Sequence, residues 1–94
     1  MPIGFVAFHY PRPEYAEEFT DRVRKAADFV GSRPGCLSGE CWVTADGEVV
    51  VTTGRFENEE AMRAAFAAAL DSGVITAADE REHRPREFFT LLAR

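Results

Sequence analysis

Residues 36–56 read Cys36-Leu37-Ser38-Gly39-Glu40-Cys41-Trp42-Val43-Thr44, then Ala45-Asp46-Gly47, then Glu48-Val49-Val50-Val51-Thr52-Thr53-Gly54-Arg55-Phe56. An Asp-Gly step between two runs rich in β-branched and aromatic residues signals a hairpin, because the tight turn needs residues that tolerate positive φ. The stretch therefore predicts two antiparallel strands, Cys36 to Thr44 and Glu48 to Phe56. Upstream, Tyr15, Phe19, Val23, Ala26 or Ala27, and Val30 recur at spacings of three to four, with Glu17, Glu18, Asp21, Arg24 and Asp28 mostly between them. That is an amphipathic helix, closed by Gly31 and then Pro34-Gly35. Downstream, Asn58 is placed to cap a second helix whose first turn carries Glu59 and Glu60 and whose body, Ala61 to Leu70, is mostly Ala and Leu. Each helix is flanked on its outer side by one more apolar run. Ile3 to Tyr10 precedes the first and stops at Pro11-Arg12-Pro13, since proline donates no ladder hydrogen bond. Phe88 to Ala93 follows the second after a polar connection, Val74 to Arg84.

The order is β-α-β-β-α-β, an α+β arrangement of the ferredoxin-like split type, with a four-stranded antiparallel sheet under two helices in a single domain, 1–94. A sheet covered on one side usually alternates to polar residues on the other. Here both faces are apolar. Ile3, Phe5 and Ala7 oppose Val6, Phe8 and Tyr10, Phe88 and Leu92 oppose Phe89, Leu91 and Ala93, and Val49 and Val51 oppose Val50 and Phe56. Two helices cover only one of these faces, and a large apolar face left in water is rare for a monomer. A homodimer packed sheet against sheet is expected, with the alternative that the connection Val74 to Arg84 folds over the second face.

The 94 residues are 46% apolar and 29% charged, with a formal net charge of -5. The apolar share supports a folded domain and the acidic balance argues against nucleic acid as a partner. No apolar run approaches the ~20 residues that span a bilayer, so no membrane role is expected. The start Met1-Pro2-Ile3-Gly4-Phe5 lacks a basic leader, and the expected location is cytoplasmic. Two thiols suit that compartment. On one regular strand the spacing of Cys36 and Cys41 sends their side chains to opposite faces.

Several local features are similar to one family. The step Arg33-Pro34-Gly35-Cys36-Leu37 resembles the "PGF/PGC" step of antibiotic biosynthesis monooxygenase domains, within the dimeric α/β barrel superfamily. Gly54-Arg55-Phe56-Glu57-Asn58-Glu59-Glu60-Ala61 resembles that family's "W-x-S/N-x-E-A" step. The resemblance covers the whole chain in element order. It implies a small homodimer with a cleft between the helices and sheet of each protomer. It also implies, for some members, oxidation of aromatic polyketide-type substrates by molecular oxygen with no cofactor and no metal, where the enzyme's task is deprotonation and positioning. The haem-degrading branch has a Trp and a His where this chain has Phe56 and Phe66, neither of which can ligate iron or donate a hydrogen bond, so haem degradation by that route is not expected.

Within that frame His9, at the end of the first strand, is the candidate general base, or else a histidine satisfied by solvent or backbone. Arg55 is the candidate partner for an enolate or carboxylate, or else pairs with Glu40 or Glu57. Tyr10 and Tyr15 flank one turn and either hydrogen-bond a phenolic ligand or simply pack. Trp42 belongs to a ligand wall or, preferably, to the dimer interface. Phe56, Phe88 and the stripe Met62, Phe66, Leu70 supply core and apolar walls. Asp79-Glu80-Arg81-Glu82-His83-Arg84 lacks metal-ligand spacing and reads as a solvated loop. The function expected is a cofactor-independent monooxygenase acting on a small aromatic or polycyclic compound. The alternative is a non-catalytic homodimeric module that binds an apolar molecule or serves structure alone.

Overall fold

A computed structural model describes residues 1–94. Strand β1 (Ile3–His9) leads through a short 3-10 turn at Pro13–Tyr15 into helix α1 (Ala16–Gly31). Strands β2 (Cys36–Val43) and β3 (Val50–Phe56) form the hairpin, followed by helix α2 (Glu59–Ser72) and strand β4 (Glu87–Leu92). The sheet is antiparallel in the order β2-β3-β1-β4, as the ferredoxin-like arrangement requires. No helix is long and apolar enough to cross a membrane.

Helix α2 starts where its cap residue dictates, with the Asn58 side chain accepting from the Ala61 backbone N–H at 2.8 Å. The turn before β2 depends on Gly35, whose φ of 82° disfavours any side chain and whose position would drive a Cβ to 2.6 Å from that of Ala61. The hairpin loop is longer than the bare Asp-Gly step predicts. Thr44 N–H donates to Val49 O at 2.9 Å and Asp46 Oδ1 accepts from Glu48 N–H at 2.9 Å, so β3 begins at Val50 rather than Glu48.

Register assigns the faces. Ile3 pairs with Phe56, Phe5 with Gly54, Ala7 with Thr52 and His9 with Val50, all on the side the helices cover. Ile3, Phe5, Val30, Phe56, Met62, Ala65 and Ala69 make the main core, in which Phe56 is fully buried. The helix stripe is therefore Met62, Ala65, Ala69, one position away from the expected Met62, Phe66, Leu70. The rings of Phe5 and Phe56 rise from the sheet against Met62, Ala65 and Ala69 of α2, while Leu70 lies mostly at the surface at 63% exposure.

The two cysteines do not face opposite sides of the sheet. An extra residue, Leu37, interrupts the β2–β3 ladder between Cys36 and Ser38. This bulge turns the odd spacing into an even one, and both thiols face the helices. Cys36 packs on the main core and Cys41 on a smaller cluster of Phe19, Val23 and Val50. Burial raises the pKa of both thiols, which makes them poor nucleophiles.

The second sheet face carries Phe8 against Phe89 with ring centroids 6.3 Å apart, and leaves Trp42, Phe89 and Leu91 about half exposed. The connection 73–86 does not cover it. Val74 and Ile75 pack instead on the main core, and Glu82 bridges to Pro11 beyond the end of β1.

Candidate functional site

The helix-covered layer is not filled throughout. Toward the His9 end of β1, small residues of the sheet, Ala7 and Thr52, face Ala26 and Ala27 of α1 across a cavity of about 250 Å3. Phe5, Phe66 and Phe88 build its aromatic wall. Phe88 stacks on Phe5 at 5.5 Å with planes 8° apart, and Phe66 meets both rings edge-on at 5.0 and 5.4 Å. Val74, Ile75 and Thr76 close one side, and Arg22 and Arg86 bring the nearest positive charges. Both guanidiniums bond to Thr76, Arg22 to its hydroxyl at 2.9 Å and Arg86 to its carbonyl at 2.6 Å.

His9 lines this cavity with its side chain only 15% exposed and its ring 5.8 Å from that of Phe19. Burial, and then the positive charge of Arg86, push its pKa down to about 4, so the imidazole is neutral at pH 7. Its Nδ1 lies 3.9 Å from Oε1 of Glu82, beyond hydrogen-bond reach. The other oxygen of Glu82 accepts from Arg86 Nε at 2.7 Å.

Of the residues singled out by sequence, the structure brings His9, Phe66 and Phe88 together at the cavity. It does not bring Arg55 there. Arg55 pairs with Gly4 and with Ser38 across neighbouring strands, and strand alternation sends it to the uncovered sheet face, which corrects its pairing with His9. Trp42 stands on that face as well, opposite Val51 and 57% exposed. Tyr10 lies beyond the cavity, where its hydroxyl donates to Glu87 and the Arg84 guanidinium sits 4.1 Å above its ring. Tyr15 ends the short turn before α1, outside the cavity lining. Phe56 and Met62 are core residues, so the cavity is left open rather than plugged by Phe56.

Sequence reasoning missed Glu82 and Arg86. The segment read as a solvated loop is tied to the stretch that follows β1: Arg12 N–H donates to Arg81 O at 2.7 Å and His83 N–H to Tyr10 O at 3.0 Å. The Glu82 side chain is thereby buried to 2% exposure. The spacing of Glu82 and Arg86 by four was a usable signal only for a helix, and this segment is not helical.

A profile of the antibiotic biosynthesis monooxygenase family matches residues 2–80. No curated protein matches the chain in sequence. Among solved structures, Rv0793 from Mycobacterium tuberculosis superposes with a TM-score of 0.78 at 19% identity, covering 100% of this chain and 96% of that one. A mutant form of SnoaB, a cofactor-independent oxygenase from Streptomyces nogalater, gives 0.77 at 18% identity over 99% and 93% of the two chains. PA3566 from Pseudomonas aeruginosa gives 0.79 at 14% identity over 99% and 94%. The fold matches theirs from end to end, and the family profile spans most of the chain. The chain belongs to the antibiotic biosynthesis monooxygenase family.

Proposed function

We propose that the protein is a cofactor-independent oxygenase that deprotonates a small aromatic substrate held in the cavity. The observation that carries this is a neutral imidazole, His9, lining an aromatic-walled cavity. At about 250 Å3 the cavity lies just below the usual range of ligand pockets, ~300–1,000 Å3, and suits a compact aromatic molecule. The kinship with SnoaB supports the same reaction class. His9 takes a proton from an activated CH2, the carbon keeps the electron pair, and that carbanion reduces molecular oxygen. The balance is CH2 plus O2 giving C=O plus water, so the substrate supplies all four electrons. The residues around His9 exclude water and hold the reacting carbon near the imidazole.

Oxygen uptake over a panel of anthrone-type substrates tests the proposal. Uptake that falls by ~10²–10⁴ in a His9→Ala variant is the expected result. No uptake across the panel leaves a binding module, and turnover unchanged in His9→Ala removes the base.

We also propose that a second copy of the chain covers the uncovered sheet face. Trp42, Phe89 and Leu91, each about half exposed on that face beside Phe8, support it. Sedimentation equilibrium should give twice the 10.5 kDa of one chain, and a mass of one chain at micromolar concentration refutes the dimer.

A further inference from the structure

We infer that Glu82 is a positioning residue for His9, its Oε1 held ready to accept a hydrogen bond from Nδ1–H so that the Nε2 lone pair is turned to the cavity. The inference rests on the proposed use of His9 as the base, but its observations are separate. Two buried side-chain atoms lack any hydrogen-bond partner, and they are His9 Nδ1 and Glu82 Oε1, 3.9 Å apart. Orphaned polar atoms are costly in a folded protein, and two facing one another imply a contact completed in another state.

The rest of Glu82 is fixed. Its Oε2 is taken by Arg86, and Arg86 is itself anchored to Thr76. Its backbone is bridged to Pro11, just past the end of β1. Oε1 is thus the one part of the side chain left without a partner. Closing 3.9 Å to a hydrogen bond of ~2.9 Å needs about 1 Å of ring movement, the kind of tightening that substrate binding brings to a catalytic pair.

The chemistry follows from the charges nearby. Arg22 of α1, Arg86 of the connection and Glu87 at the start of β4 also line the cavity. Burial and Arg86 favour the neutral ring before reaction. When Nε2 takes the substrate proton, the imidazolium that forms needs a facing anion, and the carboxylate of Glu82 supplies it. A carboxylate behind a histidine also selects the tautomer, because only Nδ1–H can donate to it.

Nitrogen-detected NMR of histidine-labelled protein at pH 7 tests this directly. The expected result is His9 as the Nδ1–H tautomer in the native protein, with its imidazole signals displaced in Glu82→Gln while the remaining amide spectrum shows an intact fold. An Nε2–H tautomer in the native protein overturns the inference, as does a His9 spectrum indifferent to Glu82→Gln. With an active substrate, Glu82→Gln should lower kcat on the order of 100-fold with little change in KM. Uptake lost in His9→Ala but undiminished in Glu82→Gln sinks the positioning role and leaves the base. The tautomer found as expected, with no uptake on any substrate, upholds the positioning and sinks the oxygenase.

Discussion

The layer between helices and sheet is packed at one end and hollow at the other, though both ends are built from the same strands. At the Ile3–Phe56 end, large rings from the sheet meet alanines of α2 and no room is left. Toward His9 the sheet offers Ala7 and Thr52, α1 offers Ala26 and Ala27, and small side chains on both sides leave a void. Complementary sizes stabilise one end and matched small sizes leave a cavity at the other. A domain of this size has little core to spare, since it buries only ~60–70% of its unfolded surface. The packed end must therefore hold the hollow one open.

The largest effect expected is at the packed end. Phe56→Ala empties a fully buried position and should cost about 3–5 kcal/mol, enough to unfold much of a small domain, as urea denaturation would show. A loss below about 1 kcal/mol would mean that the packed end is not the anchor.

Acid should act on the hollow end. His9 titrates near 4 when folded and near 6.5 when unfolded, so between those values the unfolded chain binds a proton that the folded chain refuses. Stability should thus be flat above pH 6.5 for this group and fall by about 3 kcal/mol as pH drops through the window to 4. The stability of the native protein relative to His9→Gln should be constant above pH 6.5 and fall by about 3 kcal/mol between pH 6.5 and 4. A difference that stays constant across that window would show that the cavity does not strip the imidazole of its charge.

Gly54 sits at the boundary between the two ends, where an added Cβ would lie 2.5 Å from Cε1 of Phe5. Gly54→Ala forces that ring, held by Phe66 and Phe88, toward the cavity, at a cost of about 1–3 kcal/mol. A neutral outcome in thermal unfolding would show that the aromatic wall is soft. The smallest effect is expected at Phe88. Half exposed, it should cost about 1 kcal/mol when changed to Ala, while binding of an aromatic ligand, followed by fluorescence or calorimetry, weakens more than stability does.

The strands of the packed end were legible in the sequence, its α2 stripe of Met62, Ala65 and Ala69 was not, and the hollow end was legible only in part. Alternation along Ile3, Phe5 and Ala7, the Asp-Gly step and the Asn58 cap are local signals, and they yield the element order and the alternation of β1. His9, Phe66 and Phe88 could be placed because their strands and helix were. Arg55 shows the limit of that reading: an arginine in an apolar strand looks like a site residue until the register assigns its face. Cys36 shows another limit, since one bulged residue reversed the parity of the strand. Glu82 was unreadable for a different reason. Its burial depends on hydrogen bonds between the connection and the end of β1, and no local pattern encodes a contact between segments so far apart in the chain.

That separation bears on how the molecule comes into being. His9 leaves the ribosome with the first strand, whereas Glu82 follows 73 residues later. Until the 73–86 segment docks beside β1, the imidazole has no carboxylate behind it and the cavity lacks Val74, Ile75 and Thr76 on one side. Contacts of such high sequence separation form late, after their loop-closure entropy has been offset by the hairpin and helices. A chain that stops before this segment would thus hold most of the fold and no finished site, so the cavity wall and the carboxylate behind His9 are completed together, after the hairpin and helices.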